Sequence, residues 1–220
     1  MPTPFPDHWP QQCQQTWQHA LATPAFQAAS IRLPDLEAAL VQARRRSFGR
    51  LLQALWREQL LDSRALTWQT QTQACLALPQ QAALYFDGLS AAPMAAWTLN
   101  GDVYWQPPHG AAQTVASPAA LLHHLQALLN AAIHPQQYQR LAAELNNSCL
   151  NDALCLAYHH HWNAQLAADN GAHWLPALCQ NHPQPTLLLE QWGTLGHPWH
   201  PNYKTRLGMA VAEVIAWAPE

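Results

Sequence analysis

"ALTWQTQTQACLAL", residues 65–78, is the stretch on which the fold class turns. Apolar and polar residues alternate through it and threonine is frequent, which is the two-residue period of a strand rather than the 3.6-residue period of a helix. The chain beyond extends the reading. "AALYFDGL", residues 82–89, is rich in aromatic and branched side chains, and "NGDVYW", residues 100–105, opens on the Asn-Gly pair that favours tight hairpin turns. A small antiparallel sheet of two to four strands is expected here.

Both flanks of this sheet read as helical. Upstream, Leu36, Leu40, Ala43, Phe48, Leu51, Leu52 and Leu55 recur at helical spacing, and Pro34 suits a first turn, so one long core-facing helix is expected over residues 34–61. Its basic run "RRRSFGR", residues 44–50, is flanked by Glu37 and Glu58 and reads as a solvated face. Downstream, "SPAALLHHLQALLNAA", residues 117–132, starts with Ser117 as a good N-cap and Pro118 at the first helical position. A second helix is expected over residues 135–162. The segment "DNGAHWLPALCQNHPQP", residues 169–185, is broken by Gly and Pro and is the best boundary. The expected fold class is therefore α+β and mainly helical, with helices flanking a small antiparallel sheet. One domain is expected over residues 1–170 and the start of another over residues 171–220. The last helical pattern, "MAVAEVIAWAPE", stops without a cap or tail, so the chain reads as the front portion of something longer.

Composition narrows the function classes. In 220 residues, 49% are apolar and 11 are Trp, which argues for a packed globule, while only 10% are charged. A net charge of -3 and a pI near 6.5 leave no broad basic surface for nucleic acid or acidic membrane. Cys13, Cys75, Cys149, Cys155 and Cys179 are odd in number with no CxxC pair, as expected of thiols in a reducing compartment. The start "MPTPFPDHWPQQ" lacks the layout of a signal peptide, and no apolar run reaches the length of a membrane span, so a cytoplasmic protein is expected.

The densest chemistry lies in "GTLGHPWHPNYKTRLG", residues 193–208. Each residue before proline is pushed towards extended geometry, so His197 and His200 belong to a stiff segment. A polyproline helix repeats every three residues and would put His197, His200 and Tyr203 along one edge. If a strand follows, Lys204 and Arg206 share a face. Gly196 and Gly208 permit close backbone approach. Two imidazoles, an ammonium and a guanidinium in a row suit a phosphate or polycarboxylate. A proline-rich connector with solvated Lys and Arg fits the same spacing. A metal site is the rival use of histidine. Cys155 and His159 stand four apart, within the tract that ends His159, His160, His161, but the spacing is not that of a closed zinc site, and satisfied or surface histidines are the preferred reading. The common nucleotide and protease signatures are absent.

The segment "GHPWHPNYKTRLG", residues 196–208, closely resembles the pattern GHPxHPxxKxRxG of the aerobactin-synthase-type siderophore synthetases, the non-ribosomal-peptide-independent family. Three further stretches agree in order: "AAELNNSCLN", residues 142–151, "LEQW", residues 189–192, and "VAEVIAWAPE", residues 211–220. The resemblance covers about the last 80 residues. It implies an enzyme that uses Mg-ATP to activate a carboxylate of citrate or a related acid as an acyl-adenylate, then joins it to an amine or hydroxyl nucleophile. It also implies a hand-like fold whose helical thumb leads into β-rich fingers, with a homodimer as the full-length enzyme. Gly196, His197, His200, Lys204 and Arg206 fall on motif positions lining the cleft for ATP and carboxylate, and His200, Lys204 and Arg206 are the catalytic candidates. Ser148 and Asn151 are read as structural caps and helix contacts. The family's Ser-x-Arg-Thr segment and its acidic magnesium ligands do not occur in these residues, so an N-terminal portion, inactive by itself, is expected. The alternatives are a non-catalytic module derived from such an enzyme and a histidine-rich metal-handling protein.

Overall fold

The computed structural model describes residues 8–92, 96–129 and 133–170, together with residues 176, 179–180, 183–186, 201–202, 204–205 and 213. Helices α1 (Trp9–Leu21) and α2 (Pro24–Ala28) precede α3 (Leu33–Arg57), the long helix that the leucine spacing predicts. Thr23 caps α2 through its hydroxyl, and the Asp35 carboxylate accepts from the Arg32 N–H at the start of α3 (2.8 Å). The long helix ends four residues earlier than expected. Gln59 takes a left-handed φ of 56°, and the N–H groups of Leu60 and Leu61 both fold back onto the Leu55 carbonyl, which closes the helix.

Strands β1 (Leu66–Trp68), β2 (Gln73–Ala77), β3 (Ala83–Asp87), β4 (Leu89–Ala92), β5 (Ala96–Leu99), β6 (Val103–Gln106) and β7 (Gln113–Thr114) follow. They form one antiparallel sheet in the order β1-β2-β3-β6-β7 and a separate ribbon of β4 and β5, more strands than the two to four expected. Two of the extra strands come from one long hairpin bent in the middle, and the two-residue β7 at the sheet edge adds another. Phe86 pairs with Val103 on one side of the bend and Leu89 with Leu99 on the other. At the bend Gly88 takes φ +67°, and a Cβ on Gly101 would lie 2.4 Å from the Asp87 carbonyl oxygen, so only glycine fits beside that backbone. The Asn100-Gly101 pair does not make the tight hairpin turn expected of it: it joins β5 to β6 along one arm of the hairpin, neither residue takes a positive φ, and Gly101 donates across the bend to the Asp87 carbonyl (3.0 Å).

Alternation decides which face of the sheet is buried. Ala74, Leu76, Leu84, Phe86 and Val103 point inward, while Cys75 and Tyr85 are half-buried on the other face. The inward face meets Phe48, Leu51, Leu52 and Leu55 of α3, together with Leu121, Leu122 and Leu125 of α4 (Pro118–Leu125), to form the main core. Helix α4 begins as Ser117 and Pro118 predict, the Ser117 hydroxyl accepting from the Ala120 N–H (3.1 Å). It is shorter than the pattern, tightening into a 3₁₀ turn over Gln126–Leu128.

Helix α5 (Pro135–Asn170) is longer than expected and packs along α3 and α4. With α1 and the first half of α3 it encloses a second core around Trp9, Trp17, Leu36, Leu150 and Leu154. The fold class is the expected one, mainly helical α+β with a small antiparallel sheet. The boundary near residue 170, the residues read as the start of a second domain and the final helical pattern fall mostly outside the described residues. No helix among the described residues is long and apolar enough to cross a membrane.

The basic run is not a solvated face. Arg44 and Arg45 both bond Asp102 at the bend of the hairpin (3.3 Å each), Arg46 pairs with Asp152 of α5 (3.4 Å), and Ser47, Phe48 and Gly49 are buried. Three adjacent arginines therefore tie α3 to the sheet on one side and to α5 on the other. Their partners lie 57 or more residues away, beyond the reach of a local charge pattern.

Candidate functional site

The middle of α5 carries the segment "ELNNSCLND", residues 144–152, in which an unusual number of polar side chains sit in or near the core. A polar group buried without a hydrogen-bond partner is costly, so each such side chain implies a partner. Asn146 is buried and its amide oxygen accepts from the Ala119 N–H at the first turn of α4 (3.1 Å). Asp152, whose side chain is 1% exposed, pairs with Arg46. Asn146 and Asp152 thus tie α5 to its neighbouring helices.

Glu144, Ser148 and Asn151 stand at intervals of four and three, which aligns them on one face of α5. That face holds the loop of the proline-rich segment. Ser148 Oγ accepts from the Lys204 N–H (2.9 Å), and Asn151 Nδ2 donates to the Lys204 carbonyl (3.0 Å). One turn earlier, Glu144 Oε2 accepts from Asn202 Nδ2 (2.8 Å), and the Glu144 carbonyl accepts from the Thr205 hydroxyl (2.8 Å). The loop is itself closed by Thr205 donating to the Asn202 carbonyl (3.0 Å). The second Glu144 oxygen is occupied by Arg140 (2.8 Å), and Asn147 Oδ1 accepts from Asn151, which orients the amide that grips Lys204.

Lys204 therefore lies in a turn, not in a strand, so the sharing of a strand face with Arg206 does not apply at Lys204. Of the residues singled out in the sequence, Lys204 is described, whereas Gly196, His197, His200 and Arg206 lie outside the described residues. Ser148 and Asn151 are not caps, since they sit in mid-helix and bind the loop. The signal for that role was present in the sequence as serine and asparagine at helix-face spacing, but their partner lies 53 or more residues away.

Electrostatics mark the same place. Burial first, and then the neighbouring His160, Arg46 and Lys204, hold the His159 imidazole below its ordinary value. Asn163 Nδ2 lies 2.9 Å from His159 Nδ1, which suits a neutral ring whose Nδ1 accepts. Cys149, one position from Ser148, is fully buried and its thiol is pushed up to about 12 by that burial, so it is an inert core group. Among the described residues no group of three or more His, Cys, Asp or Glu side chains could hold a metal ion, and Cys155 is a free thiol.

Comparison with known proteins supports the resemblance read from residues 196–208. Residues 185–220 match the IucA / IucC family. The chain is 35% identical over 193 residues to uncharacterized protein y4xN of Sinorhizobium fredii, a match covering 83% of this chain and 31% of that protein. Its fold is similar to that of the petrobactin biosynthesis protein AsbB from Bacillus anthracis, with a TM-score of 0.54 and 14% identity over 93% of this chain and 28% of that one. The chain thus spans about a third of the length of the relatives it matches.

Proposed function

We propose that this chain is part of an ATP-dependent siderophore synthetase. In this reading the enzyme activates a carboxylate of citrate or a related acid and condenses it with an amine or hydroxyl nucleophile. The observation that carries the proposal is the holding of Lys204, a fixed position of the family motif, by both backbone groups against α5. The match of residues 185–220 to the IucA / IucC family and the shared fold support it.

The donor set suits the substrates. ATP would supply the adenylyl group that makes the carboxylate a good acyl donor, its β- and γ-phosphates leaving as pyrophosphate when the acyl-adenylate forms and AMP leaving when the nucleophile attacks. Negative charge then develops on phosphate oxygens, and cations fixed before the reaction stabilise that charge without reorganising. Lys204 is assigned to phosphate or carboxylate oxygens, as is Arg206 by its motif position. His200 is assigned a hydrogen bond to ligand, and Gly196 with His197 the shaping of the loop. Magnesium would accompany ATP, with its acidic ligands supplied from elsewhere. Because the chain spans about a third of its relatives, turnover is assigned to the complete synthetase and not to these 220 residues alone.

The test is pyrophosphate release from ATP and magnesium, with citrate and hydroxylamine or a polyamine, by the gene product that carries this chain. Lys204→Ala is expected to lower turnover at least tenfold, about 1.4 kcal/mol of barrier. Unchanged turnover in the variant removes Lys204 from the site, and absence of citrate-dependent pyrophosphate release from the unaltered protein refutes the synthetase reading.

A further inference from the structure

Two motifs far apart in the chain meet at four hydrogen bonds, and they do so on the backbone and flanks of one cationic residue. We propose that Glu144, Ser148 and Asn151 are positioning residues that set where the Lys204 ammonium can reach. The proposal rests on the synthetase reading for its catalytic consequence, but the grip itself is read directly from the geometry.

Lysine carries its charge at the end of four methylenes, so the volume the ammonium samples depends first on how well its Cα is held. A residue bonded at only one backbone group can still pivot about it. Lys204 is bonded at both, its N–H to Ser148 and its carbonyl to Asn151, and this fixes its location and its orientation together. The flanks are fixed as well, through Asn202 and Thr205, both to Glu144. All the partners stand on adjacent turns of a single helix, a rigid support of the kind that holds functional groups most accurately. The neighbouring Arg46, carried by α3, is itself tied to α5 through Asp152. The Asn151 amide donates both to Asn147 one turn back and to the Lys204 carbonyl, so the bond within the helix orients the one that holds the loop. Buried polar side chains in a helix interior forgo the apolar contacts that the position offers, which argues that the grip has a use beyond stability.

The experiment compares Ser148→Ala, Asn151→Asp, Glu144→Ala and Glu144→Gln in the gene product that carries this chain. Asn151→Asp is nearly isosteric but faces the Lys204 carbonyl with an acceptor. Loss of one bond is expected to speed hydrogen exchange at the amides of Lys204 and Thr205 about fivefold while the rest of α5 stays protected. Turnover with ATP and citrate should fall about tenfold in kcat, with KM for ATP changed less than twofold. Glu144→Gln keeps an oxygen for Asn202 and should retain most of the turnover that Glu144→Ala loses. A contact serving stability alone would instead lower the melting temperature and leave kcat unchanged, and that result overturns the proposal, as does unaltered exchange at Lys204 and Thr205. If the unaltered protein turns nothing over, the synthetase reading fails and the catalytic role fails with it, while exchange still reports whether the grip exists.

Discussion

Acidification should destabilise this protein through His124 before its carboxylates are protonated. The His124 ring stacks on Trp105 with centroids 4.6 Å apart and planes 20° from parallel, at the last turn of α4. Burial, and secondarily the adjacent His123, lower its pKa from 6.5 to about 4. The unfolded chain takes up a proton near pH 6.5 that the folded chain refuses until about pH 4. Stability is therefore complete above the unfolded value and is lost as pH falls through that window. A gap of about two and a half pH units at about 1.4 kcal/mol each sets an upper bound of about 3.5 kcal/mol. The ring is only half-buried, and solvent screening reduces the expected loss to about 1–2 kcal/mol by pH 4.5. His124→Phe keeps an aromatic ring on Trp105 and removes the titration. Urea unfolding of both proteins from pH 7.5 to 4.5, followed by tryptophan fluorescence, reads the effect. The variant should gain about 1 kcal/mol on the natural sequence between pH 7.5 and 5. Parallel pH curves for the two proteins would show that His124 titrates normally and that the stack is solvated.

Three further outcomes follow from the structure. Arg46→Met leaves the buried Asp152 carboxylate without its cation and should cost about 3 kcal/mol in urea unfolding, part of which Arg46→Met with Asp152→Leu recovers. Asn146→Ala orphans the Ala119 N–H and should cost about 1–3 kcal/mol, whereas Asn146→Asp, which keeps an acceptor, should lower the melting temperature less. Gly101→Ala drives a Cβ into the Asp87 carbonyl and should cost about 2 kcal/mol or more, with the loss of protection in hydrogen exchange centred on β3 and β6.

The sequence by itself determined the parts that depend on neighbours in the chain. Leucine spacing places α3, Ser117 with Pro118 starts α4, and the alternation after residue 65 separates sheet from helix. Each is a property of a few adjacent residues, so local periodicity and turn chemistry suffice. The GHPxHPxxKxRxG pattern likewise carries the family resemblance within thirteen consecutive residues, 196–208. Only the tertiary structure decided what the polar side chains are for. Arg44, Arg45 and Arg46 look the same in a sequence whether they face water or bridge three elements, and Ser148 and Asn151 look the same whether they cap a helix or grip a loop. The number of strands was also hidden, because a single bend at Gly88 and Gly101 turns one hairpin into two paired units. A hydrogen bond between groups more than fifty residues apart leaves no periodic trace in the chain, and its existence is fixed only when folding brings donor and acceptor to within 3 Å.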